Sequence, residues 1–382
     1  MRGAIANMIR ISLGSIVEVF FQIDIDSYSP QKKLSELQGL TLSEVEATSE
    51  NYAPISVPPG GFYLALDTHF QRLFVLFSDP YSLLYGSNVG KEVHSQVREN
   101  VSNYVQVHPP DVPNNQRHSE YEQWLIENPK LCFHRESRCG VFHWGLWEER
   151  GHPSSGPVIT SDTNKVGARL RIHQHDLFTS FRNISYLKRF LLGAIDKKQR
   201  DKMQAAIKAL PASLKKLWCM SDTECFALRA CLVNVLTQPH VDCGDAEWAM
   251  ISPFGNFNGG EFCIADLGRR FAFQEGQVAG IRGRRLVHFT RKWIGSRICL
   301  VSTMHSSLMR QCSESNDLGD EIPMDGNGGS GSGGSWSSGE EERPRKRVRR
   351  TSLNETKVNT SFRCNGFADG LPLPSGMTIK TH

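Results

Sequence analysis

The run from 226 to 305 constrains the fold most. Its apolar stretches are short and punctuated by glycine, at 226–237, 247–253, 261–267, 270–274, 277–281, 286–290 and 297–305. Stretches of that length, with Gly259, Gly260 and Gly276 supplying turns, predict a closed all-β architecture rather than alternating βαβ units. Ahead of them, apolar residues recur at helical spacing: Tyr186, Leu187, Phe190, Leu191 and Ile195 in 183–195, and Met203, Ala206, Ile207 and Leu210 in 197–210. Pro211 opens a further short helix over 213–218. The apolar helix faces need a partner, and the outer face of the barrel is the nearest one. The expected class is therefore α+β, a β core buttressed by helices.

Within that core, His240-Val241-Asp242 places an imidazole and a carboxylate two residues apart. In an extended segment such residues share a face, so both can point at one ion. His288 lies in the apolar run 286–290 as its inward polar member. Two histidines and one carboxylate make the facial triad of a non-haem Fe(II) site, which leaves positions open for co-substrate and oxygen. After a turn over 291–295, Arg297 opens a strand expected to pair antiparallel with the one that carries His288. A guanidinium fork is suited to a bidentate grip on a carboxylate. Asn234 shares strand parity with His240, so its amide either faces a co-substrate or serves as an ordinary hydrogen-bonded strand residue. His305 lies eight residues beyond Arg297, about 26 Å at about 3.3 Å per residue, too far to act as a ligand. Trp248 and Phe254 either line the pocket or pack in the core.

These residues, together with Gly259-Gly260-Glu261-Phe262, Asp266-Leu267-Gly268, Glu275-Gly276-Gln277 and Gly295-Ser296-Arg297, resemble the 2-oxoglutarate and Fe(II)-dependent dioxygenases. Within them the run is most similar to the fungal branch of the TET and JBP oxygenases. The resemblance spans 183–305. It implies a double-stranded β-helix, a cupin-like jelly roll, with His240, Asp242 and His288 as iron ligands and Arg297 holding the distal carboxylate of 2-oxoglutarate. It implies Fe(II), 2-oxoglutarate and O2 as reactants in the hydroxylation of a C–H bond; it does not identify the substrate, for which the methyl group of a modified pyrimidine in nucleic acid, as in the TET and JBP oxygenases, is one reading. The cysteine-rich zinc region of the animal TET enzymes has no counterpart in this sequence. The alternatives are the same chemistry on a protein or small molecule, and a barrel that binds nucleic acid without catalysis.

The formal charge of +4 is modest, but its distribution is not. Arg269, Arg270, Arg282, Arg284, Arg285, Arg291, Lys292 and Arg297 face a single acid, Glu275, over that stretch. A basic rim of this kind attracts a polyanion, although arginines on solvent-facing strand positions give the same pattern. Ten cysteines without a secretion signal suggest reduced intracellular thiols. Residues 5–25 are apolar in places but carry Arg10, Glu18 and Asp24, which argues against a membrane span or a clean signal peptide.

Four regions follow from this pattern. Residues 1–61 form an N-terminal extension, with a polar linker over 28–61 that holds one short helix, 34–46. Residues 62–165 form an accessory part that opens on a hairpin, 62–66 with 72–77, expected to flank the barrel, and continues through a loop at 108–118 and a helix at 119–127. Residues 166–310 form the dioxygenase barrel with its preceding helices. Residues 311–382 form a tail whose Gly, Ser and acidic content at 311–342 offers too little apolar surface to offset ordering entropy. There, Arg343, Arg345, Lys346, Arg347, Arg349 and Arg350 read as a nuclear localisation signal or a nucleic-acid tether. Cys132, His134, Cys139 and His143 have zinc-competent side chains, but their spacing is tighter than that of finger sites and favours buried thiols beside strand histidines. His173-Gln174-His175-Asp176 stands ahead of the helices and reads as surface or loop chemistry.

Overall fold

Apolar side chains along 62–77 and 228–303 assemble a nine-stranded sheet in the computed structural model, which describes residues 16–110, 139–148, 157–164, 168–217 and 224–310. Numbered along the chain, its strands are β1 (Ile16–Phe20), β3 (Phe62–Leu66), β4 (Arg72–Phe77), β5 (Gly140–Glu148), β6 (Pro157–Ile159), β7 (Leu228–Val233), β8 (Ala249–Phe254), β12 (Val278–Ile281) and β15 (Ile298–Thr303). They lie in the order β1-β3-β4-β12-β8-β15-β7-β5-β6. A four-stranded sheet has the order β13-β10-β11-β2, built from His288–Thr290, Phe262–Ile264, Arg269–Phe271 and Ala53–Ile55. A separate ribbon pairs β9 (Phe257–Gly259) with β14 (Trp293–Gly295). All neighbours are antiparallel except β1 with β3 and β2 with β11.

The two sheets face each other across an apolar layer. Phe74 of the large sheet meets Phe262 and Phe271 of the small one at ring separations of 6.0 and 4.6 Å, and Tyr63 meets Phe271 at 5.0 Å. Each such side chain, removed from water, contributes roughly 1.5–3 kcal/mol. From residue 228 onward the chain crosses between the sheets repeatedly. β7 is in the large sheet, His240 bridges to His288 in the small one, β8 returns, β10 and β11 cross again, and β12, β13 and β15 alternate.

Helices cover the other face of the large sheet. These are α4 (Ser87–Val107), α5 (Ala168–Ile195) and α6 (Lys197–Ala209); Phe181, Ile184, Leu187 and Leu191 of α5 share one core with Trp144, Cys231 and Leu300. The small sheet is covered instead by α1 (Gln31–Leu37) and α2 (Leu42–Glu50), where Leu34, Leu37 and Val45 pack with Cys263, Val287 and Phe289. Short helices α3 (Pro80–Tyr85) and α7 (Ala212–Leu217) complete the described elements.

Several expectations change. The stretch 28–61 is no linker: it forms two helices split at Gly39, which adopts φ +88°, and its β2 hydrogen-bonds to β11. The β3–β4 hairpin is no accessory sheet either, because β4 continues the large sheet through β12. The motif 173–176 lies inside α5 rather than ahead of it, with His175 and Asp176 on its exposed face. Most relevant to function, β15 does not pair with β13. It lies between β7 and β8, while residues 293–295 pair with β9. The helix over 119–127, Cys132, His134 and the whole tail with its basic run lie outside the described residues.

Candidate metal and carboxylate site

His240 and His288 are joined through their backbones before their side chains meet. The N–H of His240 donates to the carbonyl of His288 at 3.1 Å, and the reverse bond is 3.0 Å. This one antiparallel bridge sets the imidazole centroids 4.3 Å apart. Asp242 follows on the same face, its own N–H bonded to the Gly283 carbonyl at 2.9 Å. Its Oδ1 lies 3.5 Å from His240 Nε2 and its Oδ2 3.3 Å from His288 Nε2. One ligand atom from each of the three residues lies within 4.8 Å of the others. Ligand atoms about 2.1 Å from a shared ion would sit about 3 Å apart at right angles, so the cluster is close to the size a metal requires. Among the described residues, no other group of three His, Cys, Asp or Glu side chains meets that distance.

The hydrogen-bond pattern also selects the tautomer. His240 Nδ1 lies 2.7 Å from the carbonyl of Gln238, and His288 Nδ1 lies 2.9 Å from that of Leu286. A carbonyl oxygen only accepts, so each Nδ1 carries a proton, and in the neutral ring Nε2 is the atom left to ligate a metal beside Asp242. This is the outer-shell support that metal-binding imidazoles generally have. Exposure differs among the three: the His288 side chain is 5% accessible, that of His240 11%, and that of Asp242 21%, so solvent reaches the cluster on the Asp242 side.

Gly283 forms the wall beside it. A Cβ there would lie 3.1 Å from Asp242 Oδ2 and 3.4 Å from His288 Cε1. In the sequence Arg282-Gly283-Arg284 looks like a charged turn, and nothing local marks the proximity of Gly283 to the carboxylate.

Arg297 enters from the other sheet. Its guanidinium carbon lies 5.2 Å from the Trp293 ring, 5.3 Å from that of Phe257 and 6.0 Å from that of Phe273. Phe273 stands 5.5 Å from Phe262, which stands 5.7 Å from the His288 ring, so the guanidinium and His288 flank one pair of aromatic rings. Arg297 is 3% exposed, and its Nε and Nη2 are buried with no hydrogen-bond partner among the described residues. Burial pulls its pKa below the ordinary value. A buried, unpaired cation is costly, and a carboxylate is the ligand that would relieve that cost.

Asn234 has a different role from a strand-face residue. β7 ends at Val233, and Asn234 adopts φ +50°, which breaks the parity with His240. Its Oδ1 accepts from the N–H of Arg297 at 2.9 Å, and its own N–H donates to the Arg297 carbonyl at 2.8 Å. It therefore holds the backbone from which the guanidinium projects. Trp248 and Phe254 are fully buried core residues, the indole N–H of Trp248 reaching Asp196 at 3.2 Å. His305 is apart from the cluster, with Nδ1 2.5 Å from Ser307 Oγ. Cys139 is buried, which pushes its thiol pKa up to about 12.

The expected basic rim is largely used up within the fold. Arg270 pairs with Glu50 and Glu261, Arg282 with Glu247, and Arg291 with Glu46, Glu50 and Glu261. Arg269 lies over the Phe21 ring, and Arg297 is in its cage. Arg284, next to Gly283, is exposed. Two of the four acids that neutralise these arginines, Glu46 and Glu50, come from α2, and no local pattern places that helix there.

No protein-family model matches the chain, and no curated protein matches it in sequence. Among solved structures it is similar to NgTET1 in complex with 5mC DNA, at 15% identity and a TM-score of 0.46 over 75% of this chain and 98% of that one. A 2OG-Fe(II) oxygenase family oxidoreductase from Burkholderia pseudomallei aligns at 15% identity and a TM-score of 0.28, over 54% of this chain and 89% of that one. Likenesses this distant carry no argument about the site, whose reading rests on the geometry above.

Proposed function

We propose that the protein is an Fe(II)- and 2-oxoglutarate-dependent dioxygenase built on a double-stranded β-helix. The observation that carries this reading is Arg297, a buried guanidinium with no hydrogen-bonding partner among the described residues at two of its nitrogens, facing the same aromatic pair as His288 of a His, Asp, His cluster. A 2-keto diacid matches both ends, with one carboxylate for the guanidinium and a keto acid for the metal. The alternation of strands between two sheets from β7 to β15 supports the fold assignment.

In this reading His240, Asp242 and His288 hold the iron through Nε2, a carboxylate oxygen and Nε2. When bound, iron and 2-oxoglutarate couple the reduction of O2 to decarboxylation of the keto acid, yielding succinate, carbon dioxide and a hydroxylated C–H position. The chain's own work is positional. The Gln238 and Leu286 carbonyls keep the Nδ1 protons away from the metal face, and Asn234 fixes the origin of the Arg297 side chain. Phe257, Phe273 and Trp293 exclude water around the guanidinium, which strengthens its attraction for a carboxylate. The test is succinate formation from 2-oxoglutarate with Fe(II). His240→Ala and Arg297→Ala should each lower turnover at least about 100-fold, and undiminished turnover in His240→Ala would defeat the assignment.

For the substrate we infer a methylated pyrimidine in nucleic acid, as in the TET and JBP oxygenases that the motif order resembles. Exposed Arg284 beside the cluster and the basic run 343–350 support a polyanionic partner. A target base within a duplex would have to be flipped out to reach the site. Mass spectrometry of nucleosides after incubation of methylated DNA or RNA with the enzyme, iron and 2-oxoglutarate decides between this and a protein or small-molecule target.

A further inference from the structure

The segment 28–50, which carries α1 and α2, touches the site's framework at two separate points. Asp266, in the single turn Ala265–Leu267 after β10, accepts the N–H of Val287 through Oδ2 at 2.5 Å. The carbonyl of Val287 takes the N–H of Ala265 at 2.9 Å. Both backbone polar groups of the residue before His288 are thus tied to one turn. The other oxygen of Asp266 accepts the hydroxyl of Tyr28, which lies just ahead of α1. At the second point Glu46 of α2 accepts the Lys292 N–H through Oε1 at 2.8 Å and Arg291 Nε through Oε2 at 2.9 Å. Leu42, on the same helix, packs in one cluster with Phe257 and Trp293, two of the rings around Arg297.

We propose that residues 28–50 are a two-point positioning strap, in which Tyr28 acts through Asp266 on the ligand His288, and Glu46 acts through the 291–293 backbone on the cage of Arg297. This rests on the metal and diacid reading above. A hydrogen bond to a main-chain N–H fixes the direction of the next Cα–Cβ bond, so loss of Asp266 frees His288 to tilt away from the His240 and Asp242 pair. Loss of Glu46 leaves Arg291 with fewer carboxylates and the Lys292 N–H without its acceptor, which loosens the turn that carries Trp293. The two ends of the strap therefore control two different binding events, and that separability distinguishes positioning from general stabilisation.

The full chain is titrated with Co(II), followed by its visible absorption, and the Co(II)-loaded protein is then titrated with 2-oxoglutarate. Asp266→Ala should weaken Co(II) binding about 10-fold or more and alter the absorption bands. Tyr28→Phe should move both readouts the same way to a smaller extent. Asp266→Asn, whose amide oxygen still accepts the Val287 N–H, should recover most of the loss. Glu46→Ala should leave Co(II) affinity near wild type and weaken 2-oxoglutarate about 10-fold. Val97→Ala, a cavity in α4 behind the large sheet, serves as a stability control and should shift neither constant. Wild-type Co(II) binding in both Tyr28→Phe and Asp266→Ala overturns the proposal, as do equal shifts in the Val97→Ala control. If Asp266→Ala does not fold, Tyr28→Phe with its ring intact decides the matter. Failure of the wild-type chain to bind Co(II) would instead remove the metal site itself.

Discussion

Each histidine of the cluster bonds through Nδ1 to the carbonyl two residues before it, Gln238 for His240 and Leu286 for His288. The sequence shows the histidines and the parity of His240 with Asp242, because i and i+2 share a face of any extended segment. It does not show the tautomers, which depend on where two carbonyls point. Nor does it show Gly283, whose missing side chain makes room for the carboxylate. In Gly283→Ala the added carbon would press on Asp242 Oδ2 at 3.1 Å and His288 Cε1 at 3.4 Å. We expect metal affinity to fall about 10-fold or more with an unchanged far-ultraviolet spectrum, as measured by Co(II) titration and circular dichroism. The parity extended to Asn234 fails for a local reason, since the left-handed backbone there ends the alternation on which it was based.

Among the elements, α5 illustrates what periodicity reveals and what it hides. The apolar spacing of 183–195 identifies its C-terminal half. Its first half carries His173, Gln174, His175 and Asp176, polar residues that a partly exposed helix face tolerates as readily as a loop does. The buried face also holds Lys188, whose Nζ donates to the Leu300 carbonyl at 2.7 Å and to Ser302 Oγ at 3.2 Å on β15. Burial pulls this ammonium down to about 7, with Arg229 acting in the same direction and Cys299, Glu224 and Cys231 opposing it. An unfolded lysine titrates near about 10.4, so between about pH 7 and about pH 10 the unfolded chain holds more protons than the folded one. Stability should therefore rise with pH across that window, by an amount on the order of a few kcal/mol. Lys188→Met should flatten the rise, as read from urea unfolding midpoints at successive pH values. Strand partners are less legible than helices: β13 and β15 are separated in sequence only by the short β14, yet all three belong to different sheets.

At the scale of the molecule, the site lies where the two sheets and the N-terminal helices meet. The large sheet supplies Asn234 just after β7 and Arg297 just before β15, the small sheet supplies His288, and His240, outside any strand, is joined to His288 by an isolated bridge. Ligands that bind only this assembled state stabilise it by mass action, about 2.7 kcal/mol at 100 times the dissociation constant, or roughly 3 °C for a chain of this size. Differential scanning calorimetry should show such a rise with Co(II) and a further one with 2-oxoglutarate. His240→Ala should abolish both rises, whereas Arg297→Ala should retain the first and lose the second.

Local periodicity and side-chain chemistry are enough to specify the strand-rich core, the helices over 183–195 and 197–210, the shared face of His240 and Asp242, and the chemical types of His288 and Arg297, but neither α4 nor the division of 34–46 between α1 and α2. The burial of Arg297, the part that α1 and α2 play in the framework of the site, and the pairing of Arg270, Arg282 and Arg291 with acids of the fold come from the folded arrangement alone. Those outcomes depend on which distant segments face each other across the sheets, and pairing at that range is set by total burial rather than by any local pattern.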